Sequence, residues 1–238
     1  MLPRMTTQYS SFVAQSSVED RAGFLVRTYL HLFGAVIAFV VLEAFWFVSG
    51  LAYPIVNMVA GTGNLGWGVV LAAFMGISWL ANRWASSGAS PVLQYGGLGL
   101  YVAAESLIFV PLVALALAVA GDTSLLGKAG AITLVMFGCL TGIVFLTRKD
   151  FSFMRGILMV GSVAAFGLII ASLVFGFSLG LAFCWFMVAL MSGYILFDTS
   201  NVMLHYRVDQ HVAASLVLFA SLATLFWYVL RLVISRRD

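Results

Sequence analysis

The chain has 238 residues, of which 63% are hydrophobic and only 9% charged, with a mean hydropathy of +1.08. A soluble domain carries about a quarter of its residues charged, so this composition excludes a water-covered globule and makes lipid the principal solvent. The formal charge of +3 does not indicate nucleic acid, because the arginines stand in short clusters beside apolar runs and form no single basic face.

In chain order, residues 1–22 form a polar, Ser/Thr-rich segment expected to be cytoplasmic, and residues 23–238 form the membrane domain. The start lacks the apolar region and cleavage site of a secretory signal peptide, so no cleavage is expected. A helix crossing a hydrocarbon core of about 30 Å needs about 20 mainly apolar residues. Seven segments meet that criterion: 24–48, 67–84, 93–120, 129–147, 153–176, 179–201 and 212–234. The connections are short and no internal repeat is visible. The expected fold is one all-α integral membrane domain, a bundle of seven transmembrane helices.

Lys and Arg collect on the cytoplasmic side of a membrane protein. With the N-terminus inside, Arg4, Arg21, Arg27, Arg83, Arg148, Lys149, Arg155 and Arg207 are cytoplasmic. Lys128, Arg231, Arg236 and Arg237 are then outside, the last three against the rule. The majority favours an inside N-terminus, with the loop 148–150 as the firmest marker. Gly138 and Gly142 form a GxxxG pair, and Gly156, Gly161 and Gly167 thin one side of the fifth segment, as close helix approach in lipid requires. Pro111 interrupts the long third segment, where a kink is expected.

Few residues suggest chemistry. The run 61–66, Gly-Thr-Gly-Asn-Leu-Gly, matches a dinucleotide fingerprint formally, but it follows a membrane helix and no βαβ unit surrounds it, so it reads as a loop. His31, His205 and His211 are dispersed, and Cys139 and Cys184 lie singly in apolar runs, giving neither a metal spacing nor a disulfide framework. No nucleophile–base grouping emerges, so no enzyme activity, cofactor or metal centre is expected. The informative residues are acids inside the spans, Glu43, Glu105 and Asp198. A carboxylate near the bilayer centre costs about 2.5–3.5 kcal/mol on insertion scales and therefore faces a bundle interior, a partner or water. Glu43, near the outer end of its segment, reads as interfacial. Glu105 lies midway along its span and Asp198 toward the cytoplasmic end of the sixth, and both are candidates for function.

The run 193–203, Gly-Tyr-Ile-Leu-Phe-Asp-Thr-Ser-Asn-Val-Met, resembles the signature of the Bax inhibitor-1, or transmembrane Bax-inhibitor-motif, family. The stretch 147–161 is similar to the loop and fifth helix of its bacterial YccA-like branch, and Arg27-Thr28-Tyr29, Pro91, Pro111 and the closing residues 235–238 fit that branch too. The resemblance implies a bundle whose last helix is enclosed by the other six, in a bacterial inner membrane. It also implies a pH-sensitive Ca²⁺ leak governed by two aspartates that share a proton. Asp198 matches the first of these, but Ser221 stands where the second is expected. A serine cannot raise a neighbour's pKa through like-charge repulsion, though it can make one hydrogen bond to Asp198. The site residues implied are therefore Asp198, Ser221 and Glu105, with Asp198 as the ligand for a transported Ca²⁺. The YccA-like branch also implies the alternative role of binding and modulating the membrane AAA protease FtsH, with residues 1–21 as a handle. The partners implied are thus the lipid bilayer and, in the alternative role, FtsH, and no nucleic acid is expected.

Overall fold

The computed structural model describes residues 12–87 and 90–236, with the backbone alone at residues 64 and 65. The polar start as far as residue 11, including Arg4, lies outside the described residues, as do Arg237 and Asp238. Seven helices follow one another: α1 (Val18–Val48), α2 (Ala52–Ala85), α3 (Pro91–Ala120), α4 (Ser124–Thr147), α5 (Arg155–Phe175), α6 (Gly180–Leu204) and α7 (His211–Ser235). Among the described residues there is no strand, only an isolated bridge between Phe12 and Arg207. Six helices are each long and apolar enough to cross a membrane, and a seventh is reached if the two halves of α2 make one span.

Local chemistry sets the ends. At the start of α1 the Ser17 hydroxyl accepts the Asp20 amide at 3.0 Å, and Glu19 and Asp20 occupy the first turn, where the helix dipole favours acids. Pro91 opens α3, where its missing N–H costs nothing. Gly121 closes the same helix at φ 75°, a left-handed conformation open to glycine without steric cost. Pro111 is held inside α3.

The largest departure from the sequence reading is α2, which begins at Ala52. Gly63 sits at φ 56°, ψ −147°, and the parts Ala52–Gly63 and Gly66–Ala85 meet at a bend of 118°. Asn57, Thr62, Asn64 and the glycines 61, 63 and 66 dilute the hydropathy of this stretch, which is why 61–66 reads as a loop.

Among these spans α7 is the most buried. More than half of its most apolar window, 56%, is buried, against 11% for the span that contains α5, and α7 packs on α1, α2, α3, α4 and α6. Aromatic rings fill the α1–α3–α7 junction: Phe109 meets Phe39 edge-on at 5.0 Å, Trp227 edge-on at 4.9 Å and Phe226 in a stack at 5.7 Å. Apolar burial alone gives little drive between helices already in lipid, so such packing is what orders the bundle. The closest backbone approach at a glycine joins α2 and α3, where a Cβ on Gly97 would fall 2.5 Å from the Ala81 carbonyl oxygen and 2.6 Å from the Ala85 nitrogen. The GxxxG pair does not have this use within the chain. A Cβ on Gly138 or Gly142 meets nothing within 4 Å, so their face of α4 is open.

The chain before α1 is tied down. Val13 is fully buried, its amide donates to the Tyr206 carbonyl at 2.9 Å, and Arg21 donates to the carbonyls of Val13 and Ala14 at 3.1 and 2.8 Å. From Phe12 onward, then, the polar start is docked on the α6–α7 connection.

Candidate functional site

Three consecutive residues near the end of α6, Asp198, Thr199 and Ser200, are 6%, 0% and 0% exposed. Successive helical residues point about 100° apart, so three neighbours in sequence can all be buried only where packing surrounds the helix. Each serves a different neighbour. Asp198 turns to α7, where the Ser221 hydroxyl donates to its Oδ2 at 2.6 Å. Ser200 turns to the α4–α5 connection, accepting the Phe151 amide at 2.9 Å and donating to the Lys149 carbonyl at 3.3 Å. Thr199 faces the Tyr29 hydroxyl of α1, which also faces Thr141 of α4.

Ser221 is 7% exposed, so the 2.6 Å bond is closed on both sides to solvent and strengthened by the low local dielectric. The hydroxyls of Tyr29, Thr141 and Thr199 are buried against one another, short of ideal hydrogen-bond geometry, and that of Thr28 is buried without a partner among the described residues. Buried polar atoms are seldom left so. They line the same end of the bundle as Asp198 and supply oxygen atoms there.

The connection beyond α6 caps this end. Tyr206 is pushed up to about 12 by burial and by the neighbouring Asp198 charge, so its phenol stays a neutral donor. Asp150 of the α4–α5 connection lies 3.5 Å from His205 Nε2. Its carboxyl is held below the usual carboxylate value by hydrogen bonds from the Ser152 hydroxyl and amide.

Glu105 is 5% exposed, and its Oε2 has no partner. No hydrogen bond or ion pair joins it to Asp198 or Ser221 among the described residues. At 1.5 Å per residue Glu105 lies about 20 Å along α3 from Pro91, whereas Asp198 lies about 9 Å from the end of α6. The two acids therefore sit at different depths.

Glu43 departs from its expected interfacial place. It is 9% exposed, and both carboxylate oxygens are buried without a partner. The histidines also depart from their dispersed reading: the rings of His31 and His211 lie 5.0 Å apart, and His31 Nε2 meets the Tyr95 hydroxyl at 3.0 Å. No group of three or more His, Cys, Asp or Glu side chains able to hold a metal occurs among the described residues. Cys184 is buried but Cys139 is exposed. Sequence reasoning missed Tyr29, Thr141 and Thr199 as buried polar groups, since lone hydroxyls in apolar runs carry no signal until helices are paired.

Comparison with known proteins supplies the family. The family model described as "Inhibitor of apoptosis-promoting Bax1" matches residues 21–238. The chain belongs to this family. An uncharacterized protein of Neisseria meningitidis serogroup A is 27% identical over 190 residues, covering 75% of this chain and 78% of its own length. Bax inhibitor 1 of Schizosaccharomyces pombe is 33% identical over 111 residues, 44% of this chain and 41% of its own. The Modulator of FtsH protease YccA of Escherichia coli K12 is 34% identical over 107 residues, 44% of this chain and 48% of its own. This member of the Bax inhibitor family thus resembles the Schizosaccharomyces pombe and Escherichia coli proteins each over less than half of its length, and the Neisseria meningitidis protein over three quarters.

Proposed function

We propose that the protein is a pH-sensitive cation leak of a bacterial inner membrane, with Ca²⁺ as its cargo and Asp198 as the group that governs flux. One observation carries this reading: a carboxylate buried in a membrane bundle, held by the Ser221 hydroxyl at 2.6 Å, at the same end as the buried hydroxyls of Thr28, Tyr29, Thr141 and Thr199. Hard cations prefer oxygen ligands, and these residues offer a carboxylate and several hydroxyls. Glu105, deeper along α3, supplies a second acid on the route. With Ser221 in place of a second carboxylate, gating rests on breaking one hydrogen bond and not on a proton shared between two acids. Acid that neutralises Asp198 removes the charge that attracts the cation, so flux falls on acidification. The architecture belonging to this reading has α7 enclosed by the other six helices, α2 as a bent seventh crossing and the N-terminus in the cytoplasm.

Ca²⁺ entry into proteoliposomes tests it. Wild-type protein is expected to conduct above empty liposomes across the neutral pH range, and Asp198→Asn to lose flux. Flux that survives in Asp198→Asn, or an absence of flux from the wild type at every pH, overturns the reading.

A second reading is favoured by the 34% identity to the modulator of FtsH from Escherichia coli. In it the protein binds the protease and conducts nothing. Removal of residues 1–11 then disturbs co-purification with FtsH, whereas under the leak reading the same truncation leaves flux intact.

A further inference from the structure

A groove of about 640 Å³ runs along the seam between α1 and α3, from Leu30 and Tyr95 at one end to Val41 and Val102 at the other. Two glycines hollow it: a Cβ on Gly34 or Gly99 would meet nothing within 4 Å, so no neighbouring side chain fills the space in front of them. Leu30 and Val41 are 62% and 59% exposed, which leaves the groove open along its length to the surrounding hydrocarbon. From Leu30 to Val41 is about 16 Å at 1.5 Å per residue, close to the roughly 15 Å that one leaflet contributes to a core of about 30 Å. None of Asp198, Ser221 and Glu105 lines it.

The polar side chains of the groove, His31 and Tyr95, stand together at one end. His31 Nδ1 lies 2.6 Å from the Arg27 carbonyl and so carries the hydrogen, while Nε2 meets the Tyr95 hydroxyl at 3.0 Å. The imidazole is thus spent on bracing Tyr95, which is 48% exposed near the start of α3, at the level where tyrosines meet lipid headgroups. With its hydrogen turned to His31, the phenol oxygen accepts one bond more. Arg27, four residues before His31, stands on the same face of α1 one turn nearer the end of the bundle. It is exposed, and its guanidinium makes no hydrogen bond or ion pair among the described residues. Asp20 and Asp209, acids of this end of the bundle, are engaged elsewhere: Asp20 accepts the Ser17 hydroxyl at 2.7 Å, and Asp209 pairs with Arg207 at 3.2 Å. Arg27 therefore presents a fixed positive charge over the mouth of the groove.

We propose that this groove binds an anionic phospholipid, whose phosphate bonds the Arg27 guanidinium and whose headgroup hydroxyl bonds the Tyr95 oxygen, while one acyl chain lies between α1 and α3. A guanidinium binds phosphate through paired N–H donors, and basic pockets between membrane helices hold such headgroups. A zwitterionic lipid fills the apolar length equally well but brings its own cation toward Arg27. The length thus selects a chain and the polar end selects its charge. The site is independent of the leak reading, since Asp198 has no part in it.

Photolabelling of the full chain in phosphatidylcholine nanodiscs tests the proposal. A trace of phosphatidylglycerol or phosphatidylcholine carrying a diazirine in the acyl chain is added, and labelled peptides are mapped by mass spectrometry after illumination. Labelling of the peptides that hold residues 30–41 and 95–102, relative to residues 163–175 of α5, is expected to be at least about tenfold greater with phosphatidylglycerol, one decade of affinity. Arg27→Gln should bring the two probes to equal labelling, and Gly34→Leu, which fills the groove, should remove the excess. Glycerol 1-phosphate, a headgroup without chains, should leave the excess intact. Equal labelling of the wild type by both probes, the mark of annular lipid only, overturns the proposal. So does an undiminished excess in either folded variant, or loss of the excess to glycerol 1-phosphate. None of these results bears on Ca²⁺ flux.

Discussion

If the Ser221–Asp198 hydrogen bond couples α6 to α7, removing it should show as an interaction energy between the two positions. Ser221→Ala deletes the donor and leaves a buried carboxylate with one bond fewer. A hydrogen bond to a charged group contributes about 1.5–3 kcal/mol in soluble proteins, but bonds between membrane helices average only about 0.6 and reach about 1.7 kcal/mol. Two features select the upper part of the membrane range. The bond is short, 2.6 Å, and both partners are less than a tenth exposed, so an unfolded helix pair in lipid offers Asp198 no better donor than water at the interface. The expected coupling is about 1–2 kcal/mol. It is measured by a double-mutant cycle of Ser221→Ala, Asp198→Ala and the double variant, from reversible unfolding in mixed micelles of dodecyl maltoside and sodium dodecyl sulfate. A coupling no larger than the membrane average of about 0.6 kcal/mol would refute the claim that this bond holds the two helices together.

Gly97→Ala should destabilise by about 1–3 kcal/mol or more in the same unfolding assay, because its Cβ would strike backbone atoms of α2 at 2.5 and 2.6 Å. Gly138→Ala and Gly142→Ala, with open space at both positions, should cost nothing and can gain up to about 1 kcal/mol each from helix propensity. Truncation through Ser16 should lose the burial of Val13, about 1.5–3 kcal/mol, together with the bonds from Arg21. Asp150 has its carboxyl held below the usual value by Ser152, so its contribution to the α4–α5 connection is complete above about pH 4 and drains away as pH falls below that. A ¹³C titration of the Asp150 carboxyl should give a midpoint below that of an isolated aspartate, and Ser152→Ala should move it upward; an unmoved midpoint would count against the Ser152 cap.

The membrane class and six of the spans were legible because about 20 consecutive apolar residues are hard to produce by any other fold. The break in α2 was not, since glycines 61, 63 and 66 mark a loop and a bent helix equally well. Asp198 was legible as an acid in an apolar run, and Ser221 became legible through resemblance to the family pattern. Glu43 is buried for a reason that position in the chain does not carry: nearness to a helix end suggests an exposed, interfacial carboxylate, but exposure depends on which neighbours cover that turn, and α1 packs on α3 and α7. Likewise Gly138 and Gly142 have the spacing of a packing motif, while Gly97, with no motif around it, makes the close approach. Spacing reports that a face is small, and only the pairing of helices reports whether another helix lies against it.

The same end of the bundle gathers most of the specific polar contacts between distant segments. Ser200 ties α6 to the α4–α5 connection, Ser215 of α7 donates to the Thr28 carbonyl of α1 at 2.8 Å, and Val13 binds the Tyr206 carbonyl at 2.9 Å. Asp198 lies among these ties, facing α7. Movement of α7 away from α6 therefore breaks the Ser221 bond first, whereas movement of α6 as a unit must also break the Ser200 and Val13 contacts and expose a fully buried valine. With α7 packed on α1, α2, α3 and α4 as well and tied to α1 through Ser215, the motion assigned to it is a parting of the α6–α7 seam alone, which frees the Asp198 carboxylate without unfolding the surrounding connections. A spin-label distance between α6 and α7 at this end should accordingly lengthen in Ser221→Ala while the distance from the 12–16 segment to the α6–α7 connection holds; if both distances change together, the motion belongs to α6 and this assignment of the weak joint is wrong.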